Sequence, residues 1–173
     1  MKTRTTYLVG SIQDTADPNA SRDRVEKKLI EWGFGVLNPC KLECNVTLAG
    51  TIEEQKAKLK NLKKAGQWEH FDEVMDAIIN SDLVCVAQSD FITVFWDNTK
   101  RHGGTIDEII LAISMSKPLY VVHNGIVDMN DWILRRLRRT IPLGTKLFQN
   151  SQQLLDYIKE HHKEYIKVKG KRE

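Results

Sequence analysis

Between Ser81 and Ala112 the chain carries carboxylates on both sides of an apolar run, Ile92-Thr93-Val94-Phe95-Trp96, which leads into His102-Gly103-Gly104-Thr105-Ile106-Asp107-Glu108. A strand, a glycine turn and an immediate helix start place Glu108 at a strand's carboxyl end, where α/β sheets build their active sites. Asp82 can fold back beside it. Two carboxyl groups at one cleft are the minimal equipment for cleaving a glycosidic bond. Each carboxylate also has a structural reading. Thr105 with Glu108 is a capping-box pattern that would only close a helix start, and Asp82, just after Ser81, suits a helix N-terminus.

The elements that must position these groups follow from apolar spacing and turn residues. Thr6 to Ser11 is a β-prone run ending in Gly10-Ser11, followed by a polar loop with Asp17-Pro18. Ser21 is placed to cap a helix running to about Trp32, with Val25, Leu29 and Trp32 at helical spacing and Gly33 as its stop. Gly35 to Asn38 reads as a second strand closed by Pro39. Lys41 to Gly50 has no firm period and reads as loop. Thr51 with Glu54 opens a lysine-rich helix that ends before Gly66 and looks like a lid-like appendage.

A further helix begins at Trp68, with Met75, Ile79, Leu83 and Val86 on one face. Its end is ambiguous, because Leu83 to Ala87 alone resembles a strand. Ser89-Asp90 is a poor hairpin turn, which favours helix through Ser89 and then the strand Ile92 to Trp96. After Glu108 a buried helix carries Ile109, Ile110, Ala112 and Ile113. Strands at Leu119 to Val122 and Lys146 to Phe148, helices at Trp132 to Arg139 and around Leu154 to Ile158, and a basic tail from Lys163 to Glu173 complete the chain. Such alternation predicts an α/β fold with a parallel sheet covered on both faces.

The composition restricts the function classes. At 173 residues and 41% hydrophobic the chain suits one compact domain, with a helical insert around 41–67 and the basic tail around 163–173. A net charge of +3 from 26 basic and 23 acidic residues demands no polymeric nucleic acid as partner. Three cysteines without a CxxC pair, no apolar run of membrane-spanning length and no signal-peptide pattern point to a reduced, cytoplasmic protein. Cys40, Cys44 and His70 do not form a convincing metal set, and nothing calls for a cofactor.

Other polar residues divide between turn and site. Asp90 and Asp97 flank the third strand as turn formers, although Asp97 can reach a substrate hydroxyl. Asn38 ends a strand with its amide free to face a cleft, and His102 is a loop histidine that can contact a base or phosphate. The amides at Gly104 and Thr105 can hold a hydroxyl or phosphate oxygen. Arg135, Arg136, Arg138 and Arg139 read as an exposed helix face. Trp68 and Trp96 read as core or cleft walls.

Taken in order, Tyr7-Leu8-Val9-Gly10-Ser11, Val36-Leu37-Asn38-Pro39, Asp82-Leu83 with Ser89-Asp90, Gly104-Thr105-x-x-Glu108 with Ala112, and Lys117-Pro118 resemble the nucleoside 2-deoxyribosyltransferase-like superfamily. The resemblance spans about residues 6–123 and is strongest from Asp82 to Glu108. It implies a flavodoxin-like sheet of order 2-1-3-4-5, Glu108 as nucleophile at the anomeric carbon, Asp82 as the acid serving the leaving base, and Gly10-Ser11 lining the sugar or its 5′-phosphate. It further implies a nucleoside or nucleotide substrate, with a free nucleobase as second substrate in a transferase, and at least a homodimer. Deoxyribosyl transfer is the first expectation, nucleoside 5′-monophosphate hydrolysis the second, and a silent nucleotide-binding protein the third. Where many relatives have Glu-Leu-Gly, this chain has Glu108-Ile109-Ile110.

Overall fold

In the computed structural model, which describes residues 3–12, 16–41 and 51–166, the central strand accounts for the plan of the molecule. All six residues of Phe91–Trp96 (β3) are buried, as expected of a strand covered on both faces. β3 pairs in parallel with Thr5–Gly10 (β1) on one side and Leu119–His123 (β4) on the other, and Gly35–Leu37 (β2) and Lys146–Phe148 (β5) form the edges. The sheet is five-stranded and all parallel, with order β2-β1-β3-β4-β5. This is the flavodoxin-like layout that the alternating pattern and the resemblance imply.

Strand alternation divides the core into two layers. Tyr7, Val9, Ile92, Val94 and Trp96 face Trp68–Gln88 (α3), Gly103–Ser114 (α4) and Asp131–Arg139 (α5). Leu8, Phe91, Phe95 and Tyr120 face Ala20–Glu31 (α1) and Ser151–His161 (α6), which contribute Val25, Leu29, Leu154 and Ile158. Among the described residues no helix is long and apolar enough to cross a membrane.

Local chemistry explains most element ends. Gly33, at φ 90°, takes the left-handed conformation that stops α1. Thr51 and Glu54 form the expected reciprocal capping box at the start of Ile52–Lys64 (α2). Helix α3 does run to Gln88: Ser89 bonds back to the Cys85 carbonyl, and Asp90 accepts the Thr5 amide as the chain enters β3.

Several expectations are corrected. Ser21 lies inside α1 rather than capping it. Asn19 is the cap position, and Asp17 Oδ1 accepts the amides of Asn19 and Ala20, so the Asp-Pro turn starts the helix. On α3 the buried positions are Val74, Cys85 and Val86, whereas Ile79 is 44% exposed, because this helix packs against the sheet layer only over its C-terminal part. Trp68 is exposed, edge-on to Phe71, and walls neither core nor cleft. The basic tail begins later than expected: Lys163–Tyr165 forms a 3-10 turn, and Tyr165 and Ile166 pack on the α1/α6 layer. Residues 42–50 of the insert and 167–173 of the tail lie outside the described residues.

Candidate active site

Tyr7 stands on β1 with its side chain in the α3/α4 layer and is fully buried. Its hydroxyl donates to Glu108 Oε1 at 2.9 Å. Asp82, toward the C-terminal end of α3, approaches the same hydroxyl. Three elements therefore bring one phenol and two carboxyls together. Glu108 is only 7% exposed, while Asp82 is less deeply enclosed.

Both structural readings of the carboxylates fail against this geometry. Helix α4 starts at Gly103 with His102 in the cap position, so Thr105 and Glu108 both lie within the helix and do not form a capping box. Asp82 sits deep in α3, far from its N-terminus. Glu108 is instead held by Tyr7, a residue 101 positions away.

The electrostatics follow from that enclosure. Burial, reinforced by the charge of Asp82, pushes the Glu108 carboxyl up to about 8. Burial also raises Asp82, opposed by the Tyr7 hydrogen bond and the Arg22 charge. Tyr7 is driven well above the ordinary phenol range by burial and by the two carboxylates, so it stays protonated and remains a donor. A carboxyl raised by its neighbour's charge titrates with that neighbour as a pair. Over an intermediate pH window one is ionised and the other is an acid.

The remaining sequence candidates make contacts of their own. His102 is 8% exposed and stacks on Trp96 with ring centroids 3.9 Å apart. Its Nε2 bonds the Asp97 carbonyl, and its buried Nδ1 has no partner. Burial lowers its pKa, so Nε2 carries the proton and Nδ1 presents a lone pair. Gly104 is exposed, and a methyl group there would meet nothing within 4 Å, whereas Thr105 is buried. The first amides of α4 therefore border open space.

Gly10, Ser11 and Asp97 line a cavity of about 310 Å³ at the carboxyl rim of the sheet, which Tyr7, Asp82 and Glu108 do not line. Asp97 Oδ1 accepts from the Thr99 amide and hydroxyl and from Asn124, as a turn former does, and the Thr99 amide bond leads in holding its carboxyl below the usual range. Asn38 is turned toward α1, donating to Glu26 at 2.6 Å and accepting from the Cys40 amide, so both ends of its amide are engaged away from the carboxylate pair. The four arginines of α5 are exposed. Among the described residues no group of His, Cys, Asp and Glu is arranged to hold a metal ion.

The chain matches no protein-family model and no curated protein. What the site can do follows from its own geometry. Sequence reasoning missed Tyr7 and Arg22 as site elements. Tyr7 looked like one apolar residue of a strand. Arg22 received no role from the sequence, although a charged residue three places before Val25, on the inward stripe of α1, was the available signal.

Proposed function

We propose that the protein cleaves the N-glycosidic bond of a nucleoside or nucleotide through a covalent glycosyl-Glu108 intermediate, with 2-deoxyribosyl transfer between bases as its reaction. One observation carries this reading: two carboxyls from different helices converge on the Tyr7 hydroxyl, in surroundings that keep them from ionising together. A nucleophile and an acid separated by environment are what cleavage at an anomeric carbon requires.

The pair shares one proton and reacts through the form that carries it on Asp82: the ionised Glu108 oxygen then forms the bond to C1′ as the C1′–N bond breaks, and that bond's electron pair leaves with the base. The base nitrogen takes its proton from Asp82, which becomes the carboxylate. A second base then attacks C1′, yields its N–H proton to Asp82 and releases Glu108. Water in place of the base gives hydrolysis by the same steps. Tyr7 acts through Glu108, holding one oxygen so that the other faces the sugar. No cofactor enters these steps.

The deep burial of Glu108 favours one other reading, a nucleotide-binding protein without turnover. Chromatography of the protein with a panel of nucleosides and 5′-monophosphates, with and without a second free base, separates the two. New nucleoside denotes transfer, and free base alone denotes hydrolysis. Either should vanish in Glu108→Gln. Retention of a nucleotide without turnover by the wild type would overturn the enzymatic reading.

A further inference from the structure

Helix α5 carries charge that its own fold does not use. Ile133 and Leu137 are buried in the α3/α4 layer beside Met129, so the opposite side of the helix faces out. Trp132, Arg135, Arg136 and Arg139, spaced i, i+3, i+4 and i+7, share that outer face. All four are exposed, as is Arg138, and among the described residues none of these arginines has an ion-pair partner. A cation in the last turn suits the helix dipole. Arg135 beside Arg138 and Arg139, and Arg136 beside Arg139, are however like-charge neighbours, which works against a helix. An anionic surface laid along this face would relieve that repulsion.

Apolar side chains stand beside this cationic face instead of being withdrawn from water. In the β4–α5 loop the Met129 amide closes a turn on the Ile126 carbonyl at 3.3 Å, and Val127 at its tip is 91% exposed. Turn tips ordinarily carry Gly, Asn, Asp or Ser. Trp132, in the first turn of α5, is 75% exposed, and just past the last turn Ile141 and Leu143 are exposed as well. Met129, Ile133 and Leu137 anchor loop and helix in the core, which holds the apolar tips outward. The two acids of the stretch, Asp128 and Asp131, lie at the N-terminal end of the helix, where Asp131 suits the dipole, and leave the outer face of its last two turns cationic.

We propose that the outer face of α5 and the Val127 turn dock on an anionic lipid bilayer, with Val127 and Trp132 entering the interfacial zone and Arg135, Arg136 and Arg139 pairing with headgroup phosphates. A fluid interface accepts protruding aliphatic and indole groups without a complementary pocket, and it supplies a continuous field of anions to a row of guanidiniums. A second copy of the chain is a poorer fit, because a two-fold contact through this face sets arginines against arginines. A nucleic acid would pair with the arginines and stack on Trp132, but it has no use for Val127. One turn tip and one indole are a shallow anchor, so binding needs the apolar and the cationic part together, as reversible surface association does. The contact is peripheral: α5 has 9 residues, too few to span a bilayer.

Co-sedimentation of the full chain with vesicles tests the contact, comparing phosphatidylcholine alone with equal parts of phosphatidylcholine and phosphatidylglycerol. The protein should partition onto the anionic vesicles and not onto the neutral ones, and added salt should release it. The double variant Arg136→Ala/Arg139→Ala should lower the partition coefficient about 25-fold, roughly fivefold for each arginine removed. Val127→Asp should weaken binding about tenfold by removing apolar area and adding a repelled charge. Tryptophan emission should move to shorter wavelength on binding, and Trp132→Phe should still bind but lose that shift. Every substituted position is exposed, so the variants should melt with the wild type. The proposal is overturned by partition onto anionic vesicles no greater than onto neutral ones, or by unchanged partition in Arg136→Ala/Arg139→Ala or in Val127→Asp. Binding of a single-stranded RNA or of a poly-glutamate peptide, with anionic vesicles left unbound, would overturn it in favour of that partner.

Discussion

The Tyr7 hydroxyl has one proton, which it donates to Glu108, and its value lies in which carboxyl oxygen that leaves for chemistry. Tyr7→Phe should keep the fold, since the ring stays in the α3/α4 layer. It should lower kcat by about 10²-fold, within the range by which positioned proton and hydrogen-bonding groups act, with a smaller change in KM. Asp82→Asn should act differently. It removes the second contribution to the raised Glu108 pKa, leaving burial, so Glu108 should titrate below its present value of about 8. The kcat/KM profile of the wild type should be bell-shaped, losing activity on the alkaline side as the pair gives up its last proton near pH 8 and on the acid side as both carboxyls become protonated. In Asp82→Asn the alkaline limb should disappear for substrates whose base leaves without protonation. An unmoved limb would show that Asp82 is not the acid.

At the scale of the element, what was legible in the sequence is what neighbours in the chain decide. The run Phe91–Trp96 read as a strand because turn residues bound it, and α3 read as a helix because Ser89-Asp90 cannot turn a hairpin. The capping box at Thr51 needed only residues three apart. Thr51→Ala should cost about 1 kcal/mol in chemical denaturation. By contrast, α1 starts ahead of Ser21 because the Asp17 side chain accepts the amides of Asn19 and Ala20, a choice that spacing alone leaves open. The contact of Tyr7 with Glu108 and the burial of Arg22 depend on how distant elements stack, so no local pattern announces them. Gly10 illustrates the coupling. A methyl group there would meet Arg22 Nη2 at 2.9 Å and the Phe95 carbonyl at 3.0 Å. Gly10→Ala should therefore destabilise by roughly 1–3 kcal/mol, as overpacking does. Unchanged stability would mean that the guanidinium moves aside freely.

Across the whole molecule the two layers flanking the sheet carry opposite pH dependences. In the α1/α6 layer Arg4 donates to His162 Nδ1 at 2.7 Å while Tyr120 bonds Nε2 at 2.8 Å, tying the first strand to the last turn. The Arg4 guanidinium also lies 5.2 Å from the Tyr165 ring centroid. Nδ1 must be an acceptor, so the ring is neutral, and burial, aided by the Arg4 charge, lowers His162 from 6.5 to about 4. A histidine with a depressed folded-state pKa contributes stability that is complete above 6.5 and is lost as pH falls toward 4. Glu108, in the other layer, has a raised pKa. Its contribution is complete below 4.5 and is lost as pH rises through about 8. Melting temperature should therefore stay nearly level between pH 4.5 and 6.5, where the two contributions oppose one another, and fall from pH 6.5 toward pH 8. His162→Phe should extend that fall down to pH 4.5. Glu108→Gln, neutral at every pH, should remove the alkaline sag and melt above the wild type at pH 8, although it should be inactive. A carboxyl that destabilises the fold when ionised is retained where its ionised form serves chemistry. Equal melting of Glu108→Gln and wild type at pH 8 would show that Glu108 already ionises there without cost, and the proposed acid–nucleophile division would lose its electrostatic basis.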